Sequence, residues 1–188
     1  MDESSPRAEA AGPPPGGGRI ANLIATLASD DRIKRERARA ELTIIGKPAV
    51  PLLIETLKDP RTHVRWEAAK TLQEAPDPAA APALVATLED EDSGVRWLAA
   101  EALIALEREG IPALLAGLAQ RSSSRWLREG AHHVLNELPL WKLVELLTPV
   151  MSALEHPSPQ TGVPVAAAGA LESLEELLRS RRKRSRDS

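Results

Sequence analysis

The chain has 188 residues, of which 43% are hydrophobic and 2% aromatic, and it contains no Phe, Tyr or Cys. The lack of cysteine excludes disulfides, zinc ribbons, iron–sulfur clusters and a cysteine nucleophile. The formal net charge is −3, and no apolar run approaches the length of a membrane span. The polar N-terminus lacks a basic region followed by an apolar core, so we expect a cytoplasmic protein.

Residues 1–18 end in a run of Pro and Gly and contain no recurring apolar positions, which predicts a disordered N-terminal tail. From residue 19 onward, an apolar pair followed three residues later by leucine returns at intervals of 29 to 31 residues. This i, i+1, i+4 spacing is one face of a helix. The five sets are Leu23/Ile24/Leu27, Leu53/Ile54/Leu57, Leu84/Val85/Leu88, Leu114/Leu115/Leu118 and Leu143/Val144/Leu147.

A second helical pattern follows the first within each unit. It is clearest in two matching sets, Val64/Ala68/Ala69/Leu72 and Val95/Ala99/Ala100/Leu103. A unit of two short amphipathic helices cannot bury its apolar faces alone, so such units stack side by side. We therefore predict an all-α fold, an α-α superhelix of about five helix pairs over residues 19–181.

Residues 46–72 and 78–103 resemble the HEAT repeat family, in the short bacterial form also found in phycobilisome lyase-like proteins. The resemblance extends more loosely from residue 19 to about 178. It implies a solenoid and leaves the function open, because the family contains scaffolds, adaptors and a few enzymes. It also implies a ladder of Asp and Arg residues between neighbouring repeats, formed here by Asp59, Arg65, Asp90 and Arg96.

Three repeats depart from the pattern. The second helix of repeat 1 is basic, which is explained either by the solvated outer face of a terminal repeat or by an anion-binding patch; its cationic residues are Arg32, Lys34, Arg35, Arg37 and Arg39. In repeat 4, placing Trp126 at the position of Val95 with Gly130 beneath it gives an acceptable apolar face, so we expect Trp126 to be buried. Repeat 5 contains an insertion that predicts the longest irregular connection, with Pro149, Pro157, Pro159 and Gly162.

The charge distribution argues against a nucleic-acid clamp. Residues 19–178 hold 17 basic and 23 acidic residues, a net charge of −6, whereas residues 179–188 hold six basic residues and one acidic residue. Proteins that clamp nucleic acids attract phosphates with a basic working surface. We predict that residues 182–188 form a basic disordered tail, which is either simply solvated or contacts an anionic surface.

No pattern for catalysis or for a metal or other cofactor is found, so we expect a protein that is not an enzyme. The four histidines, His63, His132, His133 and His156, form no metal-binding motif, and adjacent residues of a helix point about 100° apart. Trp97 and Glu101 have the one-turn spacing used by HEAT-like alkylpurine DNA glycosylases. Base extrusion requires a cationic groove, however, which an acidic body does not offer.

We therefore predict a non-catalytic protein-interaction scaffold or adaptor that binds its partner on a concave face lined by the second helices. The candidate residues point away from the core side of these helices; they are Trp66, Lys70, Gln73, Trp97, Glu101 and Ile104. The tryptophans either pack between adjacent second helices or grip an extended peptide. An alternative function is an accessory or chaperone-like subunit of an enzyme complex, such as a bilin-lyase-like factor, and nucleic-acid binding ranks below both.

Overall fold

A computed structural model describes residues 17–138 and 143–186 of the protein. These residues form ten α-helices and no strand, which confirms the predicted all-α class. The helices pair in chain order as α1/α2, α3/α4, α5/α6, α7/α8 and α9/α10. Their bounds are α1 Gly17–Thr26, α2 Arg32–Ile45, α3 Val50–Thr56, α4 Thr62–Glu74, α5 Ala81–Thr87, α6 Ser93–Ala105, α7 Ile111–Arg121, α8 Arg125–Glu137, α9 Val144–Glu155 and α10 Pro159–Arg186.

Short polar side chains fix where several helices begin. Asp31 caps α2 by accepting hydrogen bonds from the amides of Ile33 and Lys34, and Asp92 caps α6 in the same way. Each of these carboxylates satisfies backbone N–H groups that have no partner within the helix. After α2 the chain turns at Gly46, whose φ of 65° lies in the left-handed region that glycine adopts without steric cost.

The first four pairs build two rows of helices. The second helices α2, α4, α6 and α8 each contact the next, while α1 packs on α3 and α5 packs on α7 in the row of first helices. Leucine side chains fill the space between the rows; those that are almost completely buried include Leu27, Leu42, Leu53, Leu72, Leu84, Leu88, Leu103, Leu114, Leu118 and Leu127. A continuous core of this kind is what stacked helix pairs achieve and single pairs cannot.

The fifth pair does not continue this arrangement. Helix α10 packs along α7, which belongs to the first-helix row, and α9 contacts α8. Helix α10 is therefore not the second helix of a regular fifth repeat. Its buried side chains Val163, Ala167, Ala170 and Leu174 lie on the contact face with α7 and α9.

The predicted irregular connection in repeat 5 is wrong. Only residues 156–158 separate α9 from α10, and Pro149 lies inside α9. A proline in a helix removes one backbone hydrogen bond. The burial of Leu147 and Val150 on either side of Pro149 holds this helix against the core despite that loss.

The expected burial of Trp126 is also wrong, because this side chain is 44% exposed. Leu127 occupies the buried position instead, followed by Ala131, Val134 and Leu135 on the core side of α8. Gly130 makes room for a different neighbour, since a Cβ at this position would lie 2.9 Å from a methyl group of Leu88. The α8 register thus differs by one residue from the one predicted.

The predicted tails meet the described residues only at their inner edges. Helix α1 begins at Gly17, inside the range 1–18, and residues 1–16 lie outside the described part. Helix α10 ends at Arg186, so the expected boundary of the C-terminal tail at residue 182 falls within a helix. Among the described helices, none has the length and apolar character needed to cross a membrane.

Candidate partner-binding face

The outward side of the second helices carries three exposed tryptophans. Trp66 on α4 is 36% exposed, Trp97 on α6 is 56% exposed, and Trp126 on α8 is 44% exposed. The opposite sides of the same helices are buried in the core. We call the outward surface of α4, α6 and α8 the second-helix face.

Trp97 packs against a histidine of the next repeat. Its ring centroid lies 4.9 Å from that of His133, with the two planes inclined by 30°. Nε2 of His133 lies 3.3 Å from Oε1 of Glu101, which is one turn after Trp97 on α6. Trp97, Glu101 and His133 therefore form one cluster, which we call the Trp97 site.

The other two tryptophans contact backbone or cationic groups of adjoining second helices. The guanidinium carbon of Arg96 lies 4.5 Å from the ring centroid of Trp126, a cation–π contact. The indole edge of Trp66 lies beside Gly94 at the start of α6, where an added Cβ would be 3.7 Å from Cδ1 and Nε1. Packing between second helices thus covers part of each indole and leaves the remainder exposed.

The other predicted site residues lie on the same face with partial burial. Nζ of Lys70 donates a hydrogen bond of 2.8 Å to Gln73 and lies 3.8 Å from Glu74. Ile104 packs against the edge of the core. The structure therefore brings Glu101 to Trp97 through His133, while Lys70 and Gln73 pair with each other on α4.

An arginine recurs at one position of all four regular second helices. The Nη1 atom of each donates to the carbonyl oxygens five and six residues earlier, in the turn between the two helices of its own repeat. These bonds satisfy acceptors that the end of the first helix leaves free. We call the four residues the arginine column: Arg35, Arg65, Arg96 and Arg128.

The four predicted ladder residues do not share one role. Arg65 reaches across to the next repeat, where Nε and Nη2 donate to the two carboxylate oxygens of Asp90 at 2.7 and 2.9 Å. Asp59 instead accepts from Arg61, two residues later, at 2.9 and 2.8 Å. Arg96 has no carboxylate partner among the described residues, because Ser122 occupies the position equivalent to Asp90 in the following repeat.

The basic second helix of repeat 1 was interpreted either as a solvated outer face or as an anion-binding patch, and neither interpretation accounts for Arg35 and Arg39. Both point to Glu67 of the next repeat, with Arg35 Nε 3.0 Å from Oε1 and Arg39 Nη1 2.8 Å from Oε2. The Glu67 side chain is 5% exposed and each arginine side chain 18%. The two arginines therefore stabilise the stacking of repeat 1 on repeat 2, while Lys34 remains exposed.

Arg61 lowers the pKa of Asp59 to about 2, mainly through the hydrogen bond between their side chains. Because this folded-state value lies below the ordinary 3.8, the ion pair stabilises the fold above pH 4 and that contribution is lost as the pH falls towards 2. In carbon-detected NMR titrations, Arg61→Gln should move the pKa of Asp59 back towards 3.8. Arg108→Gln should leave it unchanged, and a pKa of Asp59 that ignores Arg61→Gln would contradict this assignment.

Two histidines of α8 lie beside glutamates of neighbouring helices. His132 lies 3.5 Å from Glu155, and His133 contacts Glu101 as described. No three His, Cys, Asp or Glu side chains in the described part of the chain come together as metal ligands would.

Sequence reasoning missed His133, Arg35, Arg39 and Glu67. The position of His133 beside Trp97 depends on the register of α8. The repeating arginine could have predicted this register, because Arg96 and Arg128 are 32 residues apart, close to the repeat length. No local pattern marks Glu67, whose partners lie 28 and 32 residues earlier in the chain.

Comparison with protein families agrees with this architecture. Residues 20–104, which include the first three helix pairs almost completely, match the family model described as HEAT repeats. No curated protein matches the chain. The matched residues contain the arginine column up to Arg96 and the tryptophans Trp66 and Trp97, and their paired helices stack in two rows. Residues 20–104 of the chain are therefore HEAT repeats.

Proposed function

We propose that the protein is a non-catalytic scaffold or adaptor that binds a protein partner on its second-helix face. The observation that carries this proposal is the row of exposed indoles at Trp66, Trp97 and Trp126 on three consecutive second helices. Solvent-exposed tryptophans on a rigid support have the properties of interface anchors, since they bury a large area and lose little conformational entropy on binding. HEAT repeat proteins generally act by binding other proteins, which supports the same conclusion.

The geometry favours an extended segment as the bound form. Adjacent packed helices lie about 8–10 Å apart, which is close to the length of three residues of an extended chain. Anchors on consecutive helices therefore match side chains spaced along one strand-like peptide. We propose that this face is concave. If the bound partner is a subunit of an enzyme complex, the protein is an accessory factor of that complex.

The test is a peptide-display selection on the folded protein followed by affinity measurement on variants. We expect Trp66→Ala/Trp97→Ala to weaken the selected peptides by at least about 30-fold, which is the loss expected for a single interface anchor that contributes about 2 kcal/mol. Leu52→Ala is the matched control, since Leu52 is a large apolar side chain, 39% exposed, on α3 in the other row. Equal affinities for the double variant and the wild type would place the peptide site elsewhere and contradict the proposal.

A further inference from the structure

The partner chemistry can be inferred from the Trp97 site. His133 packs beside the Trp97 ring, yet Trp97 remains 56% exposed, the largest value among the three tryptophans of the second-helix face. An indole with an accessible ring surface attracts a cation through the negative potential of its π-face. The protein already makes this contact internally, where Arg96 lies over Trp126 at 4.5 Å.

Glu101 adds a negative charge beside that ring. Its Oε1 lies 3.3 Å from His133, and its side chain is 27% exposed. A neutral imidazole can donate a hydrogen bond to a carboxylate without cancelling the negative charge. Lys70, at the equivalent position one repeat earlier, is engaged by Gln73 and Glu74 on its own helix.

The net charge of the repeat body has the same sign. Residues 19–178, which contain all of the second-helix face, carry a net charge of −6. Glu129, the residue of α8 equivalent to Trp97, is 56% exposed in its side chain and pairs with Arg125 on its own helix. A body of this net charge attracts basic segments before contact.

We propose that the Trp97 site binds an arginine side chain in a basic, extended segment of the partner protein. This inference rests on the function proposed above and names the chemistry of its partner. The guanidinium group lies flat on the Trp97 indole and donates hydrogen bonds to Glu101. Arginine fits better than lysine, because its planar group stacks on aromatic rings and presents several donors to a carboxylate.

The experiment uses the wild-type chain labelled with 5-fluorotryptophan, so that no substitution is needed to observe binding. Fluorine NMR reports on the tryptophans separately, and Trp97→Phe assigns the Trp97 resonance. The probes are two otherwise identical twelve-residue peptides of Gly and Ser with three arginines or three citrullines. Citrulline keeps the shape of arginine and removes its charge.

We expect the arginine peptide to shift the Trp97 resonance saturably and to bind about tenfold more tightly than the citrulline peptide, as an exposed cation–π contact plus a carboxylate pair would give. Glu101→Gln should reduce this preference to within about threefold. Glu55→Gln, the same change at an exposed glutamate on α3, should preserve it.

Other outcomes overturn the inference in distinguishable ways. Equal binding of both peptides at Trp97 would leave a docking face, as proposed above, and remove its selectivity for arginine. A shift confined to the other tryptophans would mean that the peptide does not bind at the Trp97 site. An equal loss of the arginine preference in Glu55→Gln and Glu101→Gln would mean that Glu101 does not recognise the charge of the arginine. A Trp97 resonance that changes with protein concentration alone would assign the face to a second copy of the chain.

Discussion

Glu67→Ala should lower the free energy of unfolding by about 2–4 kcal/mol, because partly buried Arg35 loses its carboxylate partner and Arg39 keeps only Glu74, at 3.4 Å. Glu67 accepts from both arginines at 3.0 and 2.8 Å and is the most buried carboxylate among the ion pairs of the described residues. Urea denaturation monitored by far-ultraviolet circular dichroism measures the change. The loss should exceed that of an ordinary surface ion pair severalfold.

The matched control is Glu36→Ala on α2. Glu36 pairs with Arg32 at 2.6 Å, but the two side chains are 43% and 74% exposed, so water solvates the charges once the pair is broken. Adding Arg39→Ala to Glu67→Ala should cost less than the sum of the two single changes, since it removes one of the stranded charges. Similar losses for Glu67→Ala and Glu36→Ala would show that the Glu67 cluster does not stabilise the stack.

The sequence was sufficient for repeats in which apolar spacing, caps and turn residues agree. In repeat 3, Val95, Ala99 and Leu103 mark one helical face, and Asp92 precedes it as an N-cap. Each of these signals is local, spanning at most a few turns of one helix. The all-α class and the helix pairs follow from them.

The sequence was insufficient where the outcome depends on contacts between distant residues. Periodicity within one helix does not say whether α7 or α8 will cover α10, and the structure places α10 along α7. In α8 the large apolar side chain of Trp126 suggested burial, whereas Leu127 fills the core and Trp126 covers Arg96. The candidate site was predicted from helical geometry alone, so His133 of the neighbouring repeat was missing from it.

The arginine column shows how one residue type serves two purposes. Within a repeat, Arg65 satisfies the carbonyl oxygens of Asp59 and Pro60, and between repeats it donates to Asp90. Arg96 repeats the first role without a carboxylate in the following repeat and places its guanidinium over Trp126. Ser122 stands in repeat 4 where repeat 3 has Asp90. The arginine that would pair with a carboxylate at this position, Arg96, therefore contacts Trp126 on the second-helix face instead.

The pair between Arg65 and Asp90 should show strong energetic coupling across the boundary between repeats 2 and 3. The two side chains are 9% and 8% exposed, and two hydrogen bonds join them. The hydrogen bond to Asp90 raises the pKa of Arg65 and outweighs the opposing effect of burial, so Arg65 stays charged. Removing Arg65 leaves Asp90 as a buried charge, and removing the charge of Asp90 leaves buried Arg65 with exposed Glu91 as its ion-pair partner, so either change is costly.

A double-mutant cycle separates this coupling from the other bonds of both residues. Arg65→Ala alone should cost about 3 kcal/mol, and Asp90→Asn is the second change because the amide oxygen still accepts from the amide of Asp92. In urea denaturation, the double variant should be more stable than the sum of the single losses by about 1–3 kcal/mol. The same cycle at Arg125 and Glu129, which are 80% and 56% exposed, should give a coupling near zero. Strict additivity at Arg65 and Asp90 would mean that this ion pair does not hold repeats 2 and 3 together, and that Arg65 acts through the carbonyls of its own repeat and through Glu91.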